Sequence, residues 1–357
     1  MTTPFVRQLR SICPRSEIQY WTSREFAAPL VGNPHLSRVL GFDSAPFYRK
    51  DVAGALRLRQ RLRSEVFDIG FFLGKHWFFN AFAASLGIPR RIGFAREPIS
   101  RWFLTDSVAY RELRHEIHYY LDLLNFVGEP DRSDIAMEVA TSKECETRAN
   151  SLMEQFRLDG FIGVINSGGN NAGESGFVRR LPSDFFVQLV RNLAQRTKVV
   201  LFGNTVDGEY YGAFSFPREV INLAGRLSFH ESLALMRRAN RMFTTDCGGM
   251  HMAGVVNRNI TAFFGPAHPA RKAPLLGNVE IVWPDRDKYD AKYDLYNLPP
   301  AEPLFQEIKI RRTSGAGRMH AGGQASVCLT RNRKSRTGGD SISSPVQLGA
   351  SERILSW

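Results

Sequence analysis

The chain has 357 residues, 43% of them hydrophobic and 23% charged, with 47 Lys and Arg against 35 Asp and Glu for a net charge of +12. That length exceeds the usual single core and predicts two domains, and the composition is that of an ordinary soluble globular protein. No run approaches the roughly 18 apolar residues of a membrane span, and the opening Met1-Thr2-Thr3-Pro4-Phe5 lacks the basic stretch and apolar core of a signal peptide. Cys13, Cys145, Cys247 and Cys328 are scattered with no Cys-x-x-Cys pair, which argues against a zinc site or disulfide framework and suits a reducing cytosol.

In chain order, Thr3 is placed to cap a first helix with Pro4 at its opening position, and Phe5, Val6, Leu9 and Ile12 form its apolar stripe. Residues 18–21 read as a strand, 26–30 as a short helix, 39–42 as a strand, and 52–62 as a helix with arginines on its polar face. The nearly continuous apolar run 67–73 has the character of a strand buried on both faces. Residues 77–86 follow as a helix, 91–94 as a short strand and 115–127 as an amphipathic helix, before a polar, Pro-containing linker at 128–142. The alternation then restarts with a strand at 161–166, a Gly/Asn-rich loop at 167–173, a helix at 185–193, and strands at 199–202 and 220–223. Ser228 caps a helix through Arg238, with Glu231 completing a capping box. Strands at 241–245, 259–264 and 279–283 close the series, the first two separated by a helix-capable stretch. This alternation predicts βαβ units and parallel sheets, in a first domain at 1–150 and a second at 151–300, with a ligand in the cleft between them.

Residues 311–357 differ in kind. Eight Lys and Arg there oppose Asp340 and Glu352, so this segment carries +6, half of the excess. It is rich in Gly, Ser and Arg without a sustained apolar period and predicts a disordered basic tail. Its charge suits contact with anionic lipid or nucleic acid, the alternative being a solvated extension with no partner.

The segment Thr244-Thr245-Asp246-Cys247-Gly248-Gly249-Met250-His251 concentrates the chemistry. A β-prone run ends in an acidic residue and two glycines, and a helix follows. Asp246 is expected to cap that helix, and the glycines remove side chains that would keep an anion from the first amides. Such a helix start suits a phosphate or pyrophosphate. The next strand ends in Gly265-Pro266, a second turn at the same edge, where open α/β sheets bind nucleotides. The alternative is a plain strand-to-helix turn whose glycines only permit tight packing. Cys247 is expected as a small buried spacer, with a thiol activated by the helix start as the alternative.

Several ordered motifs together resemble glycosyltransferase family 9, the family of the lipopolysaccharide heptosyltransferases. Its signature Asp-x-Gly-x-x-His-x-Ala, then a strand and Gly-Pro-x-x-Pro, is matched by Asp246, Gly248, His251 and Ala253, then Gly265, Pro266 and Pro269. Its Lys/Arg-x-Trp-Pro element is matched by Arg179-Arg180-Leu181-Pro182 with Leu for Trp, and its Leu-Phe-Gly strand end by Leu201-Phe202-Gly203. Asn222-Leu223-Ala224-Gly225 with Ser228-Phe229 matches a further segment, and the first half carries weaker echoes at Gly32-Asn33-Pro34, Phe67-Asp68-Ile69 and Pro89-Arg90-Arg91-Ile92-Gly93-Phe94. The likeness runs from about residue 2 to 284.

The resemblance implies a GT-B fold, two Rossmann-like domains with parallel sheets facing a central cleft, an N-terminally incomplete acceptor-side domain at 1–150 and a nucleotide-sugar donor-binding domain at 151–300, and inverting transfer from a nucleotide-diphosphate sugar. The implied donor is of the ADP-heptose type and the acceptor a lipid-linked saccharide, the growing lipopolysaccharide core. Transfer would take place in the cytoplasm at the inner membrane, with peripheral contact with anionic membrane and no nucleic acid partner. No cofactor and no metal are implied. Carried over residue by residue, Asp246 with the amides of Cys247 and Gly248 would receive the diphosphate and the neighbouring sugar, and Asn166, Ser167 and Gly168 would border the same phosphates. Arg179 would stabilise the leaving nucleotide, with a solvated arginine as the alternative. Asp207 falls near the position that meets the nucleotide ribose, a turn aspartate being the alternative. His251 would face the donor or serve as a hydrogen-bonded core histidine.

The ends depart from the family pattern. The family's first strand and the Gly-Asp loop that supplies its general base would lie before Met1, so the catalytic base is unknown here, and that loss is expected to leave a central gap with unpaired ladder groups. The departure near residue 311 suggests a gene product started late and shifted in frame. The competing readings are a nucleotide-sugar-binding remnant without activity, an RNA- or membrane-binding protein acting through its tail, and a nucleotide-sugar epimerase.

Overall fold

The computed structural model describes residues 1–49, 51–168, 179–265, 267–283 and 352–356. The first lobe contains α1 (Thr3–Ile12), β1 (Glu17–Ser23), β2 (Arg38–Phe42), α2 (Ala45–Tyr48), α3 (Val52–Arg63), β3 (Ile69–Phe72), α4 (Trp77–Ala84), β4 (Arg90–Ala95), β5 (Asp106–Ala109) and α5 (Glu116–Leu124). The second contains α6 (Lys143–Phe156), β6 (Ile162–Ile165), α7 (Ser183–Ala194), β7 (Val199–Leu201), α8 (Thr205–Gly212), β8 (Val220–Asn222), α9 (Phe229–Met236), β9 (Arg241–Thr245), α10 (Gly248–Val256), β10 (Asn259–Phe263), α11 (Pro269–Lys272) and β11 (Asn278–Val282). One more strand, β12 (Arg353–Ser356), belongs to the first sheet.

Both sheets are six-stranded, in the orders β2-β1-β12-β3-β4-β5 and β11-β10-β9-β6-β7-β8, and every strand pairing in them is parallel. Parallel sheets are covered on both faces, which is why their strands read as apolar runs and not as alternating ones. In the first lobe, Phe5, Val6 and Leu9 of α1 and Leu121 and Leu124 of α5 pack with Ile18, Phe71 and Ile92 on one face. Trp21, Leu58, Leu62, Phe72 and Phe82 fill the other. The second lobe repeats the arrangement, with Met242 and Ile260 against Leu235 and Met250 on one side and Leu201 against Phe186 and Val190 on the other.

Two local expectations are corrected. Thr3 does not cap α1: Thr2 holds the N-cap position without a side-chain capping bond, and Thr3 Oγ1 accepts the amide of Glu138 at 3.0 Å. That bond belongs to a set that pins the segment after α5 onto α1, with Arg7 paired to Asp134 at 2.6 Å and to Glu138 at 2.9 Å. The residues expected as one short helix at 26–30 form two 3-10 turns, Arg24–Phe26 and Ala28–Leu30, because Pro29 interrupts the run.

The largest correction concerns the tail and the missing strand. Of residues 311–357, only 352–356 are among those described, and they are not an unstructured extension. They occupy the middle of the first sheet, between β1 and β3, with Ile354 and Leu355 fully buried. The expected gap is therefore filled and its ladder groups are paired. Two consecutive aliphatics carry no readable period, so a four-residue strand, Arg-Ile-Leu-Ser, escapes detection from sequence. The rest of the expected tail lies outside the described residues.

The α9 capping box forms as expected: Ser228 Oγ accepts the amide of Glu231 while Glu231 Oε2 accepts that of Ser228 at 2.8 Å. Ser228→Ala is expected to lower stability by about 1 kcal/mol, measured as a fall in the urea midpoint without a change in slope.

Candidate functional site

In the second sheet the chain runs β6, β7, β8 toward one edge, then crosses over to build β9, β10 and β11 toward the other. The order therefore reverses between β6 and β9, which pair directly, Ile165 opposite Thr244. Loops leaving the carboxyl ends of two such strands diverge and open a crevice. Asn166, Ser167 and Gly168 leave β6, and Asp246 and Cys247 leave β9.

The two exits are fastened to each other. Ser167 N donates to Thr245 Oγ1 at 3.1 Å, and the same hydroxyl donates to Ser167 O at 2.6 Å. Asn166 donates its amide to the Tyr211 hydroxyl at 2.8 Å, and its Oδ1 accepts the Leu181 amide at 2.8 Å. That second bond brings the segment Arg179–Leu181 to the crevice rim. The Asn166 Nδ2 is buried with no hydrogen-bond partner among the described residues.

Asp246 does not cap α10. The N-cap residue is Cys247, and no side chain caps the helix. The Asp246 carboxylate lies one residue too early and turns to Arg179, Oδ2 to Nη1 at 3.8 Å, with both side chains almost wholly buried. Asp246 Oδ2 makes no hydrogen bond among the described residues. The consequence favours an anion: no side-chain capping bond closes the first turn of α10, and only the Cys247 thiol lies against its amides, so the positive end of the helix dipole carries no counter-charge of its own. The two glycines differ in role. A side chain at Gly248 would meet nothing within 4 Å, whereas a Cβ at Gly249 would fall 2.8 Å from Ile165 Cδ1. Gly249 is needed for packing, and Gly248 leaves open space over the helix start. Cys247 is the buried spacer: burial pushes its thiol up to about 11, outweighing the backbone amides that favour a thiolate.

Asp207 stands one layer further out. Its Oδ2 accepts the Asn204 amide at 3.0 Å in a capping box that starts α8, and its Oδ1 accepts from Arg180 Nη2 at 2.6 Å. Both oxygens are engaged inside the lobe, and the Arg180 guanidinium also lies over the Tyr210 ring. His251, on the first turns of α10, is half-buried, and burial foremost, then neighbouring cations including Lys272 and Arg179, hold its imidazole well below the ordinary histidine range. The structure thus gathers Asn166, Ser167, Gly168, Arg179, Asp246, Cys247, Gly248 and His251 along one sheet edge and sets Asp207 behind it. Of the glycine-rich loop, residues 169–178 lie outside the described residues, as does Pro266 of the second turn.

Sequence reasoning did not find the groups where the lobes meet. Arg271 Nη1 on α11 donates to the Tyr110 hydroxyl at 3.2 Å, and His115 Nε2 meets Ala273 O at 3.0 Å. Tyr110 in turn donates to the carboxylate of Glu116, whose Oε2 lies 2.7 Å from Lys75 Nζ, and Lys75 donates to Tyr120 at 2.7 Å. His115 caps α5 through Nδ1, which accepts the Ile117 amide at 3.3 Å. With Nδ1 accepting, Nε2 carries the proton and donates to Ala273. The only trace of this cluster in the sequence is a His-Glu pair opening an apolar helix.

Residues 55–299 match the profile of glycosyltransferase family 9 (heptosyltransferase). A stretch of 117 residues is 32% identical to lipooligosaccharide heptosyltransferase 2 of Haemophilus influenzae, covering 30% of this chain and 34% of that protein. The aligned stretch thus spans about a third of the length of the curated relatives that the chain matches. Among solved structures, the glycosyl transferase family 9 protein of Veillonella parvula superposes with a TM-score of 0.70 at 21% identity, covering 85% of this chain and 88% of that one. The E. coli ADP-heptose lipopolysaccharide heptosyltransferase II gives 0.61 at 20% identity over 79% and 85% of the two chains. At those identities the structures share the fold: two parallel-sheet α/β lobes of the GT-B type.

Two outcomes test this geometry. Gly249→Ala is expected to cost about 1–3 kcal/mol by overpacking Ile165, while Gly248→Ala stays within about 0.5 kcal/mol; chemical denaturation of both variants checks the contrast. Burial foremost holds His115 at about 4, below its ordinary 6.5, so it stays neutral in the fold and takes up a proton first in the unfolded chain. Its contribution is complete above 6.5 and falls away as pH drops toward 4, by roughly 3 kcal/mol in all. His115→Gln is expected to melt lower at pH 7 but to show a shallower decline in Tm between pH 6.5 and 4.

Proposed function

Since this chain belongs to glycosyltransferase family 9, we propose that it transfers a sugar of the heptose type from a nucleotide-diphosphate donor to a lipopolysaccharide core acceptor, with inversion. The single observation that carries this reading is the uncapped start of α10 at the switch point of the second sheet, with the buried Arg179 guanidinium alongside. The first amides of α10 receive the donor diphosphate, and the open space over Gly248 lets its oxygens approach. Arg179 neutralises the charge that grows on the departing nucleotide, the electrostatic help that such a displacement needs most. Asp246, whose Oδ2 lacks a hydrogen-bond partner among the described residues, accepts from a hydroxyl of the donor sugar and holds Arg179 in line. Neutral His251 adds a donor or acceptor at the same rim without adding charge. Asn166 offers its Nδ2 as a further donor. Asp207 keeps Arg180 and the rim segment in place through α8.

The relatives work on lipooligosaccharide and lipopolysaccharide by name, and the acceptor here is a lipid-linked saccharide approached from the first lobe. No helix among the described residues is long and apolar enough to cross a membrane. Action on such an acceptor then takes place at the cytoplasmic face of the inner membrane by peripheral contact.

A second reading, donor binding without turnover, is favoured by one detail. Glu116 is the buried carboxylate of the first lobe at its contact with the second, and it is held by Lys75 and Tyr110 and not presented for proton abstraction. A labelled-sugar transfer assay run beside a donor titration separates the two. Transfer of label with donor binding supports the enzyme; saturable donor binding without transfer supports the remnant; no binding of any nucleotide sugar sinks both. For an active enzyme, Arg179→Ala is expected to lower kcat/KM by about 10²- to 10³-fold and, by leaving the buried Asp246 carboxylate without its cation, to lower the melting midpoint of the apo protein as well.

A further inference from the structure

The first sheet contains a slot that its own neighbouring strands do not close. In a parallel sheet adjacent strands lie about 4.8 Å apart, so β1 and β3, which flank β12, face each other across roughly twice that distance. The occupant is contributed from 285 residues further along the chain, the separation between Asp68 and Arg353. Its pairing is complete on both sides: Ile18, Gln19 and Tyr20 oppose Ile354, Leu355 and Ser356, which in turn oppose Ile69, Gly70 and Phe71.

The slot has a recognisable chemistry. At its entrance stand three carboxylates, and Arg353 engages all of them: its guanidinium pairs with Glu17 at 3.0 Å and Glu65 at 3.1 Å, and its amide donates to Asp68 Oδ2 at 2.8 Å. The guanidinium also lies over the Phe67 ring. Deeper in, Ile354 joins the core beneath α1 and α5, and Leu355 joins the opposite core with Trp21 and Phe72. Gly70, directly opposite Leu355, has no room for a side chain because a Cβ there would fall 2.7 Å from the Phe72 ring. A basic residue at the mouth followed by two aliphatics facing opposite cores is what this gap accepts.

We propose that the gap between β1 and β3 is a strand-docking site, that its occupant is the chain's own segment 352–356 bound in cis, and that the first lobe becomes a cooperative unit only when this segment docks. The inference stands apart from the transferase reading, since it concerns the assembly of the first sheet whatever the crevice binds. Every hydrogen bond and ion pair described for β12 is noncovalent and local to the slot. Continuity of the backbone through residues 284–351 is accordingly dispensable once the strand is seated, and the docked segment behaves as a tightly held peptide.

Two measurements on the full chain test this. In a Glu17→Cys, Arg353→Cys variant, the paired Cα positions lie within disulfide reach. Oxidation is expected to give an intramolecular link, seen as a monomer of altered mobility on a non-reducing gel, with the linked peptides confirmed by mass spectrometry. A covalent dimer joined through the same two positions would overturn docking in cis and assign the strand to a second copy. In the second measurement, a protease site is inserted near residue 320 of the otherwise unchanged protein and cut after folding. The released C-terminal fragment is expected to co-elute with the remainder at one-to-one ratio, and amides of residues 18–20 and 69–71 keep their protection from exchange. After denaturation, refolding in excess synthetic peptide of residues 352–357 is expected to replace the fragment. Loss of the fragment with unchanged exchange at both flanking strands would overturn the proposal.

Discussion

All described strand pairings are parallel, and this one constraint organises the molecule. A parallel sheet buries both faces, so each lobe needs helices on two sides and strands that are apolar throughout. It also collects the carboxyl ends of its strands at one edge, so loops with free amides and short polar side chains gather there without further design. The crevice at β6 and β9 follows directly: two adjacent strands whose successors travel in opposite directions cannot keep their exits together. The exits are held at a fixed spacing by the Ser167–Thr245 exchange of hydrogen bonds, and what opens between them is lined by an uncapped helix start, a buried cation and a buried carboxylate.

The same edge of the second lobe also touches the first. Arg271 and Ala273 flank Lys272 just after β10, and they engage Tyr110 and His115. Behind Tyr110 the chain of contacts continues to Glu116, Lys75 and Tyr120, with the Lys75 ammonium also over aromatic faces. A buried ion pair of this kind adds little net stability, because both charges leave water, yet removing one partner alone is severe. Its value lies in defining how the lobes meet. The contact sits on the segment that follows β10, the strand beside crevice-forming β9, so the lobe contact and the crevice lie on neighbouring strands of one sheet.

Much of this was readable from residues alone. The buried runs of β3, β6 and β7, the capping box at Ser228, and the glycine pair after Thr245 each carry a local signal strong enough to survive folding. The failures have physical causes. α6 was hidden because Lys143–Phe156 is polar nearly all round and buries only Ala149 and Leu152. α8 was hidden by two glycines and two tyrosines, although Asn204 and Asp207 form a capping box. The Asp246 cap failed because a nearby arginine competes for the same carboxylate, and no spacing rule weighs that competition. The cluster at Tyr110, Glu116, Lys75 and Arg271 depends on a direct bond between residues 161 positions apart, so only the assembled fold brings them together. β12 was missed for both reasons, being short and remote.

The position of β12 also bears on how this polypeptide is made. A sheet whose middle member is synthesised last has very high contact order, and such topologies fold slowly. While the ribosome is still extending the chain, β1 and β3 each present a bare edge and half-covered aromatic surface, the kind of nascent species that aggregates or engages chaperones. The second lobe, whose strands all lie between Ile162 and Val282, has its own sheet complete well before then. Maturation therefore runs against the order of translation, the carboxyl-terminal lobe forming ahead of the amino-terminal one.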